Sequence, residues 1–214
     1  MNRISLSLLC AALALGISGC TIVKDVPPDE KAIPTGASGD QARTEIRIKE
    51  TFDSKLLPYV RDNATPIADL RKMLVLGLEQ AGENHGHKGS GEGAAWNFPV
   101  SGSGKVVSAK LDTRARSVSV DTTGDGKADV TVQLGPVILG SALRDAAPFY
   151  NYDDFRDQIE FAKLSRAIND RISKLLEVPD GDLVGKTASF VGVVPLKSTT
   201  EAYVVTPIVV EFTP

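Results

Sequence analysis

Ser117-Val118-Ser119-Val120 and Val130-Thr131-Val132-Gln133-Leu134, joined by Asp121-Thr122-Thr123-Gly124-Asp125-Gly126-Lys127-Ala128-Asp129, decide how this chain is read. Both flanks alternate with period two, putting valines on one face and Ser, Thr and Gln on the other. That is the pattern of half-buried antiparallel strands. Gly124-Asp125-Gly126 supplies the hairpin turn between them. Upstream, Trp96, Phe98 and Val100, then Val106, Val107, Ala109 and Leu111, predict a long or bulged strand interrupted at Ser101-Gly102-Ser103-Gly104. Downstream, residues 187–194 and 203–212 read as two further strands around a loop centred on Lys197-Ser198-Thr199-Thr200.

Between the third and fourth strands lies the strongest helical pattern. Phe155, Ile159, Ala162, Leu164, Ile168, Ile172 and Leu175 form its apolar side, and Asn151 or Asp153 is the expected cap. Asp153, Asp154 and Asp157 fall near its positive end, Arg171 and Lys174 near its negative end. Three strands, a helix and two strands is the element order of an OB barrel. The expected fold is α+β: an N-terminal helical pair (44–93), then an OB-like five-stranded antiparallel barrel (94–214) with one long helix between strands 3 and 4. Residues 44–214 would form a single domain.

The helical pair is read from two patterns. Thr51 can cap a helix carrying Phe52, Leu56, Leu57 and Val60, bent or shortened by Pro58. Thr65-Pro66 then reads as cap and first turn of a helix with the stripe Ile67, Leu70, Met73, Leu74 and Leu78, ended by Gly82. Residues 82–93 follow as a glycine-rich loop holding His85 and His87.

The first residues carry an address. Arg3 precedes the apolar run 4–17, which is too short to span the roughly 30 Å hydrocarbon core, and the run ends in Ile17-Ser18-Gly19-Cys20. This resembles the lipobox of bacterial lipoproteins. Residues 1–19 are therefore read as a secretion signal and Cys20 as the lipid-bearing first residue of the mature chain. Residues 20–43 read as a flexible tether, rich in Pro, Asp, Gly and Ser. Thr21 stands where, by analogy, an aspartate would favour inner-membrane retention. This chain is thus expected at the cell envelope, facing the periplasm, with the outer membrane favoured in a Gram-negative host.

At 214 residues and 42% hydrophobic, the chain can bury a core without disulfides. Its cysteines are Cys10 and Cys20, one inside the signal and one acylated, which excludes thiol chemistry and cysteine metal sites. The formal charge of −3, and an outer sheet face without aromatics, argue against a nucleic-acid partner.

Four groups of residues could carry chemistry. Asp121, Asp125 and Asp129 with Gly126 match part of a calcium loop, but Thr123 and Val132 replace two ligands. A plain turn or weak Ca2+ binding follows, with no other cofactor expected. His85-Gly86-His87, with Glu83 or Glu92, could offer a metal two imidazoles, or could simply be solvated. Arg144-Asp145 with Tyr150, Tyr152, Asp153 and Asp154, joined by Trp96, is the densest polar–aromatic set. It suits either a sugar ligand or a capped helix terminus over a buried Arg–Asp pair. No Gly-x-Ser-x-Gly elbow or phosphate loop is present.

The long motifs from Val120-Asp121 to Val130, Gly135-Pro136-Val137-Ile138, Ala142-Leu143-Arg144-Asp145, the run from Asp153-Asp154-Phe155 to Asn169-Asp170-Arg171, and Gly185-Lys186-Thr187 carry a resemblance. With them the chain resembles the predicted periplasmic lipoprotein family of unknown function, from about Phe52 to the end. The resemblance implies a lipid-anchored extracytoplasmic protein, often encoded beside sugar ABC transporters, and transfers no site residue. Three functions are weighed. The first is a non-enzymatic binding or accessory module serving sugar uptake, with a sugar or a transport-system protein as partner. The second is a structural or assembly partner contacting another envelope protein through helices at 52–78. The third is a hydrolase using Asp145 with Asp153 or Asp154.

Overall fold

Valines 118, 120, 130 and 132 are all buried, and the two alternating segments pair as antiparallel strands with Val118 opposite Val132. The computed structural model describes residues 32–214. The signal, Cys20 and the first half of the proposed tether lie outside those residues. The barrel strands are β1 (Trp96–Lys110), β2 (Ala115–Asp121), β3 (Val130–Pro136), β4 (Thr187–Leu196) and β5 (Tyr203–Thr213). β2 pairs with β1 and β3, β3 with β5 in parallel, β5 with β4, and β4 returns to β1. The sheet closes, so no barrel edge is left unpaired. This is the expected OB-like barrel.

β1 is unbroken where an interruption was expected. Its first part pairs with β4 from Trp96 opposite Leu196 to Lys105 opposite Thr187, and its last part pairs with β2. A Cβ on Gly104 would lie 1.9 Å from the Asp121 carbonyl oxygen, and one on Gly102 would lie 2.6 Å from the Phe190 ring. The small residues let one strand bend across two neighbours, as glycines do at barrel corners.

The helices are α1 (Asp40–Thr51), a π-helical turn Phe52–Leu56, α2 (Leu57–Asp62), α3 (Ile67–Leu74), α4 (Leu78–His85), α5 (Ala142–Ala146) and α6 (Gln158–Leu175). Several expected boundaries move. α1 starts at Asp40, inside the stretch read as tether, so Thr51 is no cap. Its hydroxyl instead donates to the Arg47 carbonyl at 2.5 Å and accepts from Tyr150 at 2.6 Å. Thr65-Pro66 forms a short parallel pairing with Val100-Ser101 before α3. The stripe expected to run to Leu78 breaks at Gly77, whose φ of +123° favours glycine. Gly82 lies inside α4, where a Cβ would meet the Trp96 ring at 2.2 Å. His87-Lys88 pairs with Trp96-Asn97, so the glycine-rich segment is partly strand. Asp157 caps α6, accepting from the Ile159 and Glu160 amides, each at 2.9 Å. Neither Asn151 nor Asp153 does so. Ile159 turns outward and is 62% exposed.

Two apolar cores result. One fills the barrel and the underside of α3, with Phe98, Leu134, Leu196 and Leu70 at its centre. The other lies among α1, α2, α5, α6 and the outer surface of β4 and β5, built on Phe52, Leu143, Leu164, Ile168 and Val193. Asp40, Thr44, Ile48, Phe52, Leu56 and Val60 are all buried, one in every four residues. A straight α-helix at 3.6 residues per turn would swing that stripe away from α6. The π turn, at about 4.4 residues per turn, swings it back.

Buried Asp40 joins α1 to α6. Its carboxylate takes Arg156 at 3.0 Å, Lys163 at 2.9 Å and Arg43 at 2.7 Å. Arg43 also holds Glu160 at 2.6 Å and donates to the carbonyls of Pro34 and Gly36. Hydrogen bonds from Arg156 and Lys163 hold the Asp40 carboxyl down, from 3.8 to about 2. A folded value below the unfolded one stabilises at pH above the ordinary carboxylate range, and the contribution is lost as pH falls from 3.8 towards 2. Thermal melts between pH 6 and pH 2 are expected to show a steep fall in Tm over that window. Asp40→Asn should start from a lower Tm and fall less steeply. Equal slopes for both chains would contradict this.

Candidate functional site

Gln133, buried on β3, fixes the loop that follows its strand. Its side-chain oxygen accepts from the Leu139 amide at 2.7 Å, and its nitrogen donates to Leu139 O at 3.2 Å and to Thr206 Oγ1 at 3.0 Å. From α6, Asn169 donates to the carbonyls of Ile138 at 3.2 Å and Gly140 at 2.9 Å, and Ser165 donates to Gly140 O at 3.2 Å. The 137–141 loop is thus held at both its β3 and α6 sides. Between it and the outer face of α6 lies a cleft of about 890 Å³, within the range of small-molecule sites.

Arg144 on α5 lines this cleft. Its side chain is only 11% exposed. Nε and a terminal nitrogen meet Asp145 Oδ1 at 2.7 and 2.6 Å, and the other terminal nitrogen donates to the Phe161 carbonyl at 3.0 Å. The guanidinium carbon stands 3.5 Å from the Phe161 ring centroid. A guanidinium has five N–H donors, so these contacts leave two without a partner among the described residues. Asp145 is held in turn by Ser141 Oγ at 2.6 Å, and its carbonyl meets His87 Nδ1 at 2.7 Å. Tyr152, 39% exposed, lines the same cleft and packs edge-on to Phe161 at 5.5 Å.

The other residues singled out from the sequence lie elsewhere. Tyr150 is buried behind the cleft, bonded to Thr51, and burial pushes its hydroxyl pKa up. Asp153 and Asp154 sit exposed on the single turn Tyr152–Asp154, outside the cleft walls, so the carboxylates considered for hydrolysis do not meet there. Trp96 packs on Gly82 with the Lys88 ammonium 5.1 Å from its ring centroid. Its indole N–H is buried and has no hydrogen-bond partner among the described residues. His85 ends α4, and the two histidines therefore serve different surroundings.

The Asp121–Asp129 hairpin uses its carboxylates as turn acceptors. Asp121 accepts from the amides of Thr123 at 3.0 Å, Gly124 at 2.7 Å and Gly126 at 2.7 Å. Burial alone would raise its pKa, but these amides outweigh burial and hold it below the ordinary value. Asp129 accepts from Thr122 and pairs with Arg71, while Asp125 accepts from the Lys127 amide at 2.8 Å. Among the described residues no group of three His, Cys, Asp or Glu is placed to hold a metal ion.

Sequence reading found Arg144 and Tyr152 but missed Gln158, Ser165, Arg166, Asn169 and Asp170, all on the cleft face of α6, and Arg114 in the β1–β2 turn. A second, polar stripe at helical spacing beside the apolar one was the available signal. Over 52–78 Phe52, Leu56, Val60, Ile67, Leu70 and Leu74 are buried and Leu57, Tyr59, Met73 and Leu78 half-buried, while Val75 and Leu76 are 85% and 72% exposed at the α3–α4 turn.

Comparison with known proteins bears on fold and family. The family model described as "Predicted periplasmic lipoprotein (DUF2291)" matches residues 10–211. No curated protein matches the chain. Among solved structures, an OB-fold protein from Thermotoga maritima is similar at 17% identity and a TM-score of 0.54, covering 80% of this chain and 95% of that one. At that identity the likeness speaks for the barrel alone.

Proposed function

This chain belongs to the predicted periplasmic lipoprotein family (DUF2291), and from that premise we propose that it is a non-enzymatic binding module of the cell envelope, anchored through a lipid on Cys20. In this reading the cleft between the 137–141 loop and α6 holds a small hydroxylated ligand of the sugar class and serves its uptake. Thr21 after Cys20 favours an outer-membrane site in a Gram-negative host. The observation that carries the proposal is Arg144, locked by Asp145 and Phe161 with two N–H donors left at the wall of an 890 Å³ cleft. A preorganised guanidinium loses little freedom on binding, and an adjacent exposed tyrosine offers a face for sugar C–H groups.

Thermal-shift titration of the chain with sugars tests the reading. A ligand that raises Tm should lose about tenfold or more in affinity in Tyr152→Ala, with the variant's own Tm little changed. Unaltered affinity in Tyr152→Ala would place the ligand elsewhere. No shift with any sugar would remove the sugar class.

A further inference from the structure

We infer that the cleft's ligand is a hydroxylated anion, a sugar-like molecule bearing a carboxylate or phosphate; this rests on the reading of the cleft as the ligand site. Three arginines, Arg114, Arg144 and Arg166, line the cleft, and Asp170 is the single acidic residue among its lining groups. They come from three separate elements: the β1–β2 turn, α5 and α6. Arg144 already has its counterion in Asp145, so it supplies direction more than net charge. Arg114 and Arg166 are exposed and form no ion pair among the described residues.

Of the other arginines, Arg43, Arg71, Arg156 and Arg171 each sit on a carboxylate, Arg47 and Arg116 donate to backbone carbonyls, and Arg61 is exposed outside the cleft. In a chain of net charge −3, the three guanidinium groups outweigh Asp145 and Asp170 by one charge, which leaves a local positive field on this concave surface. A cleft with low-dielectric walls focuses such a field on an anion. Guanidinium groups match carboxylate and phosphate oxygens with paired N–H donors. The remaining polar lining, including Gln158 and the backbone of Gly140, suits hydroxyl groups around that anion.

The full chain in detergent, titrated calorimetrically with glucose, glucuronate and glucose 6-phosphate, tests the inference. At least one of the two acids should bind about tenfold or more tightly than glucose, and the preference should shrink with added salt. Replacing both Arg114→Gln and Arg166→Gln should bring that acid to the affinity of glucose while leaving Tm unchanged. The two acids distinguish a carboxylate site from a phosphate site. Glucose binding as tightly as both acids would overturn the anionic class and leave the cleft reading standing. An acid preference that survives the double substitution would overturn the assignment to these arginines. Binding of none of the three would overturn both readings.

Discussion

Gly104→Ala is expected to destabilise the folded chain by about 3 kcal/mol or more. The added methyl would lie 1.9 Å from the Asp121 carbonyl oxygen and 2.6 Å from its carbon. Both obstacles are backbone, so no rotamer change relieves them. β1 would have to separate from β2 at the point where it also leaves β4, since Lys105 pairs with Asp121 on one side and Thr187 on the other. For a chain of this size the loss corresponds to roughly 6–12 °C in Tm. Gly36→Ala is the control, because no atom of the described residues beyond its chain neighbours lies within 4 Å of a Cβ there. Its effect should stay within about 0.5 kcal/mol. Similar melting of the two variants by circular dichroism would show that β1 does not bend against β2 as described.

Phe52→Ala is expected to cost about 3–5 kcal/mol. Phe52 is fully buried at the start of the π turn, and the Arg171 guanidinium carbon lies 4.7 Å from its ring centroid. Truncation removes the ring's buried area and leaves a cavity between α1 and α6 that backbone on both sides keeps from closing. Leu76→Ala makes the comparison decisive. It removes a side chain of similar hydrophobicity that is 72% exposed, and it should be close to neutral. Denaturant unfolding that gave equal losses for Phe52→Ala and Leu76→Ala would contradict the placement of α1 in the second core.

The barrel was legible because each strand carries its own evidence. Val118, Val120, Val130 and Val132 need only the two-residue period to be assigned to one face. α1 was not legible for the opposite reason. Its buried positions include Asp40 and Thr44, which read as solvent-facing until their surroundings are known. Asp40 is buried only because Arg156 and Lys163 arrive 116 and 123 residues later in the chain. No local pattern reports a partner that distant. The start of α6 was misplaced for a milder reason. Asn151, Asp153 and Asp157 are all acceptable caps by type, and only the buried position of Phe155 selects the last.

The cleft divides in the same way. Arg144 and Tyr152 stood out as part of a dense polar–aromatic cluster, but Tyr150 from that cluster went into the core and Asp153 and Asp154 to the outer surface. Helical and turn geometry, more than residue type, separated them. Ser165 and Asn169 gain their roles from Gly140, whose carbonyl both bind from 25 and 29 residues away. Gln133, read as part of a polar outer face, turned out to be the buried pin of the loop.

Hydrogen–deuterium exchange of the full chain with and without saturating glucuronate, and likewise glucose 6-phosphate, tests the cleft most directly, the acid that binds more tightly being the one read. The account predicts slowed amide exchange in residues 137–141 and along the 158–170 stretch of α6, with the Asp121–Asp129 hairpin unchanged. Protection confined to the hairpin or to the α3–α4 turn, or no protection at any segment, would contradict it.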